Sequence, residues 1–362
     1  MENGKLYNKI LGTLVGGSIG DAYGIRLEMM HYLDIQEQYG KVEHFGPLAP
    51  RKPSSRSPLE LYYPFARDNF KEKFHPLGRW SHEVGAYTDD MRYRFITYRA
   101  FLRKGGPITG KDLAEEWLNY RLMAAGASEY MDTYSWEGPQ NVYAKYTASL
   151  DRLVGMATKQ RPCTPGWDSP FGVIHAGDPA AAAGIGHSIA IAVATAMMDG
   201  ATIDTVIDQV LRRTDCYGPM GREFKGRLEK MLDIASHCED VFAFFEPFYK
   251  EMLVTFPPFD AVFPLEMTPC ALALCYIAKG DGGQAVIGGA NIGRDADSIA
   301  SITGEVMGAL YGPECFPQEW VDQVLRLNPE PDMKQLSSEL SGLVTDCINE
   351  RRSQEAKVLP AG

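Results

Sequence analysis

Two short acidic runs hold most of the chemistry available to this chain. The first is Thr88-Asp89-Asp90, within GAYTDDMRYRF, and the second is Asp295-Ala296-Asp297-Ser298, within GGANIGRDADSIASITGEVMGALYG. Neighbouring carboxylates repel one another, so they gather where a cation or a helix N-terminus offsets their charge. The TDD run by itself needs no more than capping, in which a Thr or Asp ahead of a helix accepts orphan backbone N–H groups and complements the dipole. The second run exceeds that need. Two carboxylates and a hydroxyl within four residues, behind a glycine-rich turn and at the mouth of a long helix, form a half-site for a hard cation.

Something must bring the two runs together, and stripes of small residues supply a means. Gly12, Gly16 and Gly20 recur every four residues, as do Ala296, Ala300, Gly304 and Gly308. Such stripes let helix axes approach closely. A glycine inside a helix costs about 1 kcal/mol relative to alanine, so its repetition calls for a packing reason. Asp21 and Glu28 follow the first stripe and add acidic groups near that end.

Helical periodicity recurs along the chain, at Asn8–Tyr23, Met91–Leu102, Lys111–Met123, Ile203–Leu211, Gly221–Ser236, Thr268–Ala278, Ala296–Leu310 and Met333–Ile348. Strand-like alternation is scarce, and the expected class is all-α. Residues 1–350 read as one helical domain. Gly46–Trp80 is rich in proline and aromatic residues, so a continuous helix there is excluded. It reads as an excursion from the bundle, either a lid over the site or a surface loop. Pro162–Pro179 is a second irregular stretch, and residues 351–362 read as a frayed tail.

Composition narrows the function classes. The formal net charge is −11, which disfavours binding to phosphate backbones, and no nucleic-acid partner is expected. Seven scattered cysteines without a CxxC pair suggest reduced thiols. The first residues lack a signal-peptide profile, which points to a cytoplasmic protein. Ala180–Met198 is apolar enough to prompt a membrane check. It is built from Ala and Gly, holds His187 at its centre and lacks aromatic or basic anchors, so a buried helix is expected. GGSIG has no preceding strand and no following βαβ unit, which removes a dinucleotide-binding reading. Zinc spacings and nucleophile elbows are absent.

GTLVGGSIGDAYGIRLE, YTDD, AGDPAAAAGIGHSIAIAVATAM and GRDADSIASITGEVMGALYG, in that order, resemble the ADP-ribosylglycohydrolase family. The resemblance implies an orthogonal all-α bundle binding two Mg²⁺ ions, with Mn²⁺ as an alternative, between the two acidic runs. It also implies hydrolysis of a ribosyl bond in an ADP-ribosylated protein or related small molecule. By position, Thr88, Asp89, Asp90, Asp295, Asp297 and Ser298 would hold the metals. Glu28 would act as acid or base, and Asp90 or Asp297 would activate water. Gly177, Asp178 and His187 would lie on the substrate side. Arg294 would neutralise a phosphate or pair with a neighbouring carboxylate.

The chain departs from the family pattern in places. TDDT becomes TDDM, and GGDTDS/T becomes GRDADSI, with the metal-binding oxygens retained. The region TPGWDSPFGVIHAGDP lacks the family's GNGAAMR-like phosphate loop. A nucleoside or other small glycoside therefore stays open as substrate. So does a catalytically silent relative serving as a binding protein, although unpaired buried carboxylates would be costly without cations. Aromatic residues of the excursion (Tyr62, Tyr63, Phe65, Phe70, Phe74, Trp80) and Tyr134-Ser135-Trp136 would either stack on a base or pack in the core.

Overall fold

A computed structural model describes residues 2–52, 54–57, 84–113, 115–116, 119, 168–183, 188–214, 218–252 and 264–358. The described residues form helices and no strand; a lone antiparallel bridge joins His31 to Gly293. In chain order, α1 is Glu2–Gly24, α2 Tyr32–Tyr39 and α3 Asp89–Lys104. Next come α4 (Ser169–Ile174), α5 (Pro179–Ala183), α6 (Ser188–Ala196) and α7 (Ile203–Thr214). The remainder are α8 (Gly218–Ser236), α9 (Phe245–Glu251), α10 (Pro264–Ala278) and α11 (Gly282–Asn291), then α12 (Ala296–Tyr311), α13 (Gln318–Leu327) and α14 (Met333–Val358).

The central pair is α1 and α12, and the small-residue stripes make it. A Cβ placed on Gly12, Gly16, Gly20 or Gly24 would collide with the carbonyl oxygen of Gly308, Gly304, Ala300 or Ala296, respectively. The numbers descend on one helix as they rise on the other, so the two run antiparallel with their backbones in contact. This places the C-terminal end of α1, with Asp21 and then Glu28, beside the N-terminal end of α12 with Asp295, Asp297 and Ser298.

At the opposite end of the pair, the Lys9 ammonium reaches four carbonyls: Ala196 at 2.6 Å, Ala309 at 3.1 Å, and Met198 and Leu310 at 3.2 Å. It terminates α6 and α12 together, satisfying carbonyls that a helix end leaves without partners.

Three expectations change. Pro162–Pro179, read as irregular, holds α4 at Ser169–Ile174. The glycines read as a turn before the second acidic run, Gly288 and Gly289, lie inside α11. A Cβ on Gly289 would press on the Ala300 backbone, so tertiary packing overrides the poor helix propensity of glycine. The turn itself is short and centres on Gly293, at φ +72°. The expected tail is also helical to Val358, and most of its residues beyond 351 are exposed. The segment Ala180–Met198 contains α5 and α6; residues 184–187 between them, His187 included, lie outside the described residues, as do Lys111–Met123 in large part and residues 58–83. No described helix is long and apolar enough to cross a membrane.

Candidate metal centre

Three helix ends meet at the site. α3 and α12 both bring N-termini, whose partial positive charge favours anionic side chains, and α1 brings its C-terminal end. Asp21, fully buried on the last turns of α1, joins α1 to α3. Its carboxylate accepts the Thr88 amide at 2.8 Å, the Thr88 hydroxyl at 2.6 Å and the Met91 amide at 3.2 Å. Thr88 is also the N-cap of α3, accepting the Asp90 amide at 3.4 Å. The capping reading of TDD is thus realised, with Asp21 fastening the cap.

Asp90 meets α12 directly: the Ser298 hydroxyl donates to its carboxylate at 2.6 Å. The two acidic runs, more than 200 positions apart, are therefore in hydrogen-bond contact. Asp295 occupies the N-cap position of α12 yet makes no side-chain cap bond. Its carboxylate serves the acidic cluster instead. One carboxylate oxygen each from Glu28, Asp295 and Asp297 lie within 4.8 Å of one another.

Glu28 is delivered by a turn after α1 that exchanges backbone bonds with the turn before α12. The Met29 amide donates to the Arg294 carbonyl at 2.5 Å and the Arg294 amide to the Met30 carbonyl at 2.9 Å. Met29 and Arg294 both adopt positive φ, 58° and 63°, a costly conformation for non-glycine residues that concentrates at functional sites. At Gly293 a Cβ would strike the Met30 carbonyl oxygen, so this exchange requires glycine there.

The charges of the clustered carboxylates are opposed by burial and mutual repulsion, a cost that a cation would offset. Burial, then the charge of Asp90, raise Asp21 to about 8. Burial followed by Asp297 and Asp90 raise Asp295 well above the carboxylate range, and burial with Glu28, Asp90 and Asp21 does the same for Asp297. The cluster offers only oxygen donors from Asp, Glu, Ser and Thr, without His or Cys. Such a set fits hard divalent cations.

Among the sequence-expected site residues, Thr88, Asp90, Asp295, Asp297, Ser298 and Glu28 thus converge. The Asp89 side chain and His187 lie outside the described residues. Arg294 is nearly fully buried and binds Glu266 through two parallel bonds of 2.7 and 2.8 Å. The pairing with a carboxylate expected of it is formed. Asp178 caps α5 through the Ala181 amide at 3.0 Å and pairs with Arg351 at 2.6 Å. Gly177, at φ +72°, donates its amide to the Ala194 carbonyl at 2.9 Å.

Two residues at the site escaped the sequence reading in whole or part. Asp21 registered only as an added acid, because a hub bonding a distant helix leaves no local pattern. Arg51, at the start of the 46–80 excursion, donates to the carbonyls of Glu28 at 2.8 Å and Ile25 at 3.2 Å, and its charge faces Glu28 and Asp297. The described start of the excursion is further pinned to α2, where Asp34 accepts Arg56 at 2.8 Å and the Ser57 hydroxyl.

Comparison with known proteins adds two findings. The model of the ADP-ribosylglycohydrolase family matches residues 2–354. An ADP-ribosylarginine hydrolase, Tri1, of Serratia proteamaculans (strain 568) is 45% identical over 43 residues, a stretch that spans 12% of this chain and 12% of that relative.

Proposed function

The chain belongs to the ADP-ribosylglycohydrolase family, and from that premise we propose that it is a magnesium-dependent hydrolase cleaving the ribosyl glycosidic bond of an ADP-ribosylated protein or ADP-ribose derivative. The observation that carries this reading is the convergence of Glu28, Asp295 and Asp297 beside the Asp90–Ser298 contact, all oxygen donors, with burial opposing the charges of Asp295 and Asp297. The relative's activity on ADP-ribosylarginine makes an arginine-linked substrate the first to try.

In this proposal Thr88, Asp89, Asp90, Asp295, Asp297 and Ser298 hold two Mg²⁺ ions, with Mn²⁺ as a substitute. Bound there, the ions would clamp ribose hydroxyls and sharpen a water into a nucleophile near neutral pH. The residues of the chain supply the rest. Asp90 or Asp297 orients the attacking water and takes its proton as the water oxygen bonds to the anomeric carbon. Glu28 gives a proton to the departing group as the glycosidic bond breaks. Gly177, Asp178 and His187 are assigned to the substrate side.

The alternative substrate is a nucleoside or other small glycoside on the same site, favoured by the absence of a GNGAAMR-like loop from residues 164–179. Calorimetric titration of Mg²⁺ into chelator-treated protein, paired with hydrolysis assays on ADP-ribosylarginine and on nucleosides, tests both. Two ions bound and ADP-ribose released, with loss on Asp297→Asn, is the expected result. Release from nucleosides alone moves the substrate to the alternative. A folded protein that takes up no Mg²⁺ and cleaves neither substrate sinks the proposal.

A further inference from the structure

Beneath the acidic cluster lies a second polar layer that the proposed chemistry does not use. Arg94, one turn after Asp90 on α3, has no solvent exposure. Its Nη1 donates to the Ser301 hydroxyl at 2.7 Å and its Nε pairs with Glu305 at 3.1 Å. Ser301 and Glu305 stand one and two turns below Asp297 on α12. Ser301 in turn donates to the Gly17 carbonyl of α1 at 3.1 Å, and Glu305 accepts the Ser169 hydroxyl of α4 at 2.5 Å.

These contacts form a ladder between α3 and α12, with Asp90–Ser298 as its top rung. The rungs rise together on both helices, so α3 and α12 run parallel here with both N-termini at the site. The two helices are spaced differently from the central pair. Where α1 meets α12, glycines bring backbone onto backbone. At Gly17, one position off that stripe, an added Cβ would meet side chains instead, Glu305 Cγ at 2.8 Å and Met91 Sδ at 2.9 Å. The described contacts between α3 and α12 run through side chains, Arg94 the longest of them. A fully buried ion pair is seldom more stabilising than apolar residues of the same volume, and its best-attested use is fixing register. Arg94 also directs its charge toward Asp90 and Asp21 as well as Glu305.

We propose that Arg94, held by Glu305 and Ser301, is a positioning residue that fixes the separation and register of the α3 and α12 N-termini and thereby the geometry of the metal site. The metal-site part of this rests on the function proposed above. Arg94→Met/Glu305→Gln removes both charges together, so neither is left buried alone. With folding confirmed by circular dichroism, this variant is expected to bind Mg²⁺ about 10- to 100-fold more weakly, the usual range for residues supporting ligands, and to lose kcat with KM little changed. Amide hydrogen exchange in the metal-free protein should speed up over the first turn of α3 while α1 and α12 keep their protection. Arg94→Lys keeps the charge but not the fork that reaches Ser301 and Glu305 together; it should fall between wild type and the double variant, and it carries the test if the double variant does not fold. Wild-type Mg²⁺ affinity and wild-type exchange in either folded variant overturns the proposal. If the wild-type protein itself binds no Mg²⁺, the functional reading fails, and the exchange measurement still decides the role of Arg94.

Discussion

The buried Asp21 carboxylate accepts both the amide and the hydroxyl of Thr88, at 2.8 and 2.6 Å, and so ties the first turn of α3 to the last turns of α1. Asparagine has the same shape but turns an N–H₂ toward donors that need an acceptor. Asp21→Asn is therefore expected to leave the chain folded yet weaken Mg²⁺ binding at least about 10-fold, as loss of a ligand-orienting partner does. Calorimetry on the variant checks this; unchanged affinity would mean that Thr88 and Asp90 need no such anchor.

The acidic cluster makes the metal-free protein sensitive to pH in one direction. Asp21 is raised to about 8 and Glu305 to about 7, while Asp295 and Asp297 lie well above the usual carboxylate range, burial being the largest cause in each case. In the unfolded chain the same groups titrate near 4. Between about pH 4 and 8 the folded state thus holds more protons than the unfolded state, and stability falls as pH rises through that window. Thermal melts in chelator should give a lower Tm at pH 8.5 than at pH 5.5. Added Mg²⁺ should stabilise most at the higher pH, where its ligands are ionised. A Tm in chelator that is flat or rising over this range contradicts the scheme.

Glycines of the central pair and glycines elsewhere should respond oppositely to alanine. Gly20→Ala or Gly304→Ala forces a Cβ into the facing backbone and is expected to cost at least about 1–3 kcal/mol. Gly226 and Gly342 are exposed helix positions with open space around them, where alanine should gain roughly 0.5–1 kcal/mol. Urea denaturation of the four variants separates the two classes. A tolerated Gly304→Ala would mean that α1 and α12 can move apart freely.

The Arg294–Glu266 pair braces the turn that leads into Asp295, a residue of the candidate site. Glu266→Gln takes away the carboxylate that the buried guanidinium binds through two bonds, and is expected to cost about 3–5 kcal/mol. Denaturant titration measures it. Were Arg294 instead a phosphate contact, Glu266→Gln would leave stability intact and alter only the KM for phosphate-bearing substrates.

Much of the architecture is legible in residue spacing because glycine stripes and acidic runs are local patterns. Gly12, Gly16 and Gly20 against Gly304 and Gly308 are consistent with a close helix pair, and that pair brings Glu28 near Asp295 and Asp297. What remains hidden is long-range pairing. Nothing local says that Asp21 takes the amides of residues 88 and 91, or that Arg94 meets Glu305 across 211 positions. Gly288 and Gly289 mislead because glycine propensity suggests a turn, while contact with α12 keeps them inside a helix. The amphipathic α13 lies between Pro317 and Pro329, and the prolines on either side obscure its helical spacing.

Lys9 gives the central helix pair a polarity of its own. At one pole a covalently tethered ammonium serves two helix C-termini and cannot leave. At the other pole, Arg51 and Arg94 supply part of the positive charge that the carboxylates face, and under the proposed function a cation from solution would supply the rest. The rod formed by α1 and α12 thus carries its own cation at one end, while the other would take one from solution under the proposed function, so changes in cation supply should loosen the molecule from the acidic end first.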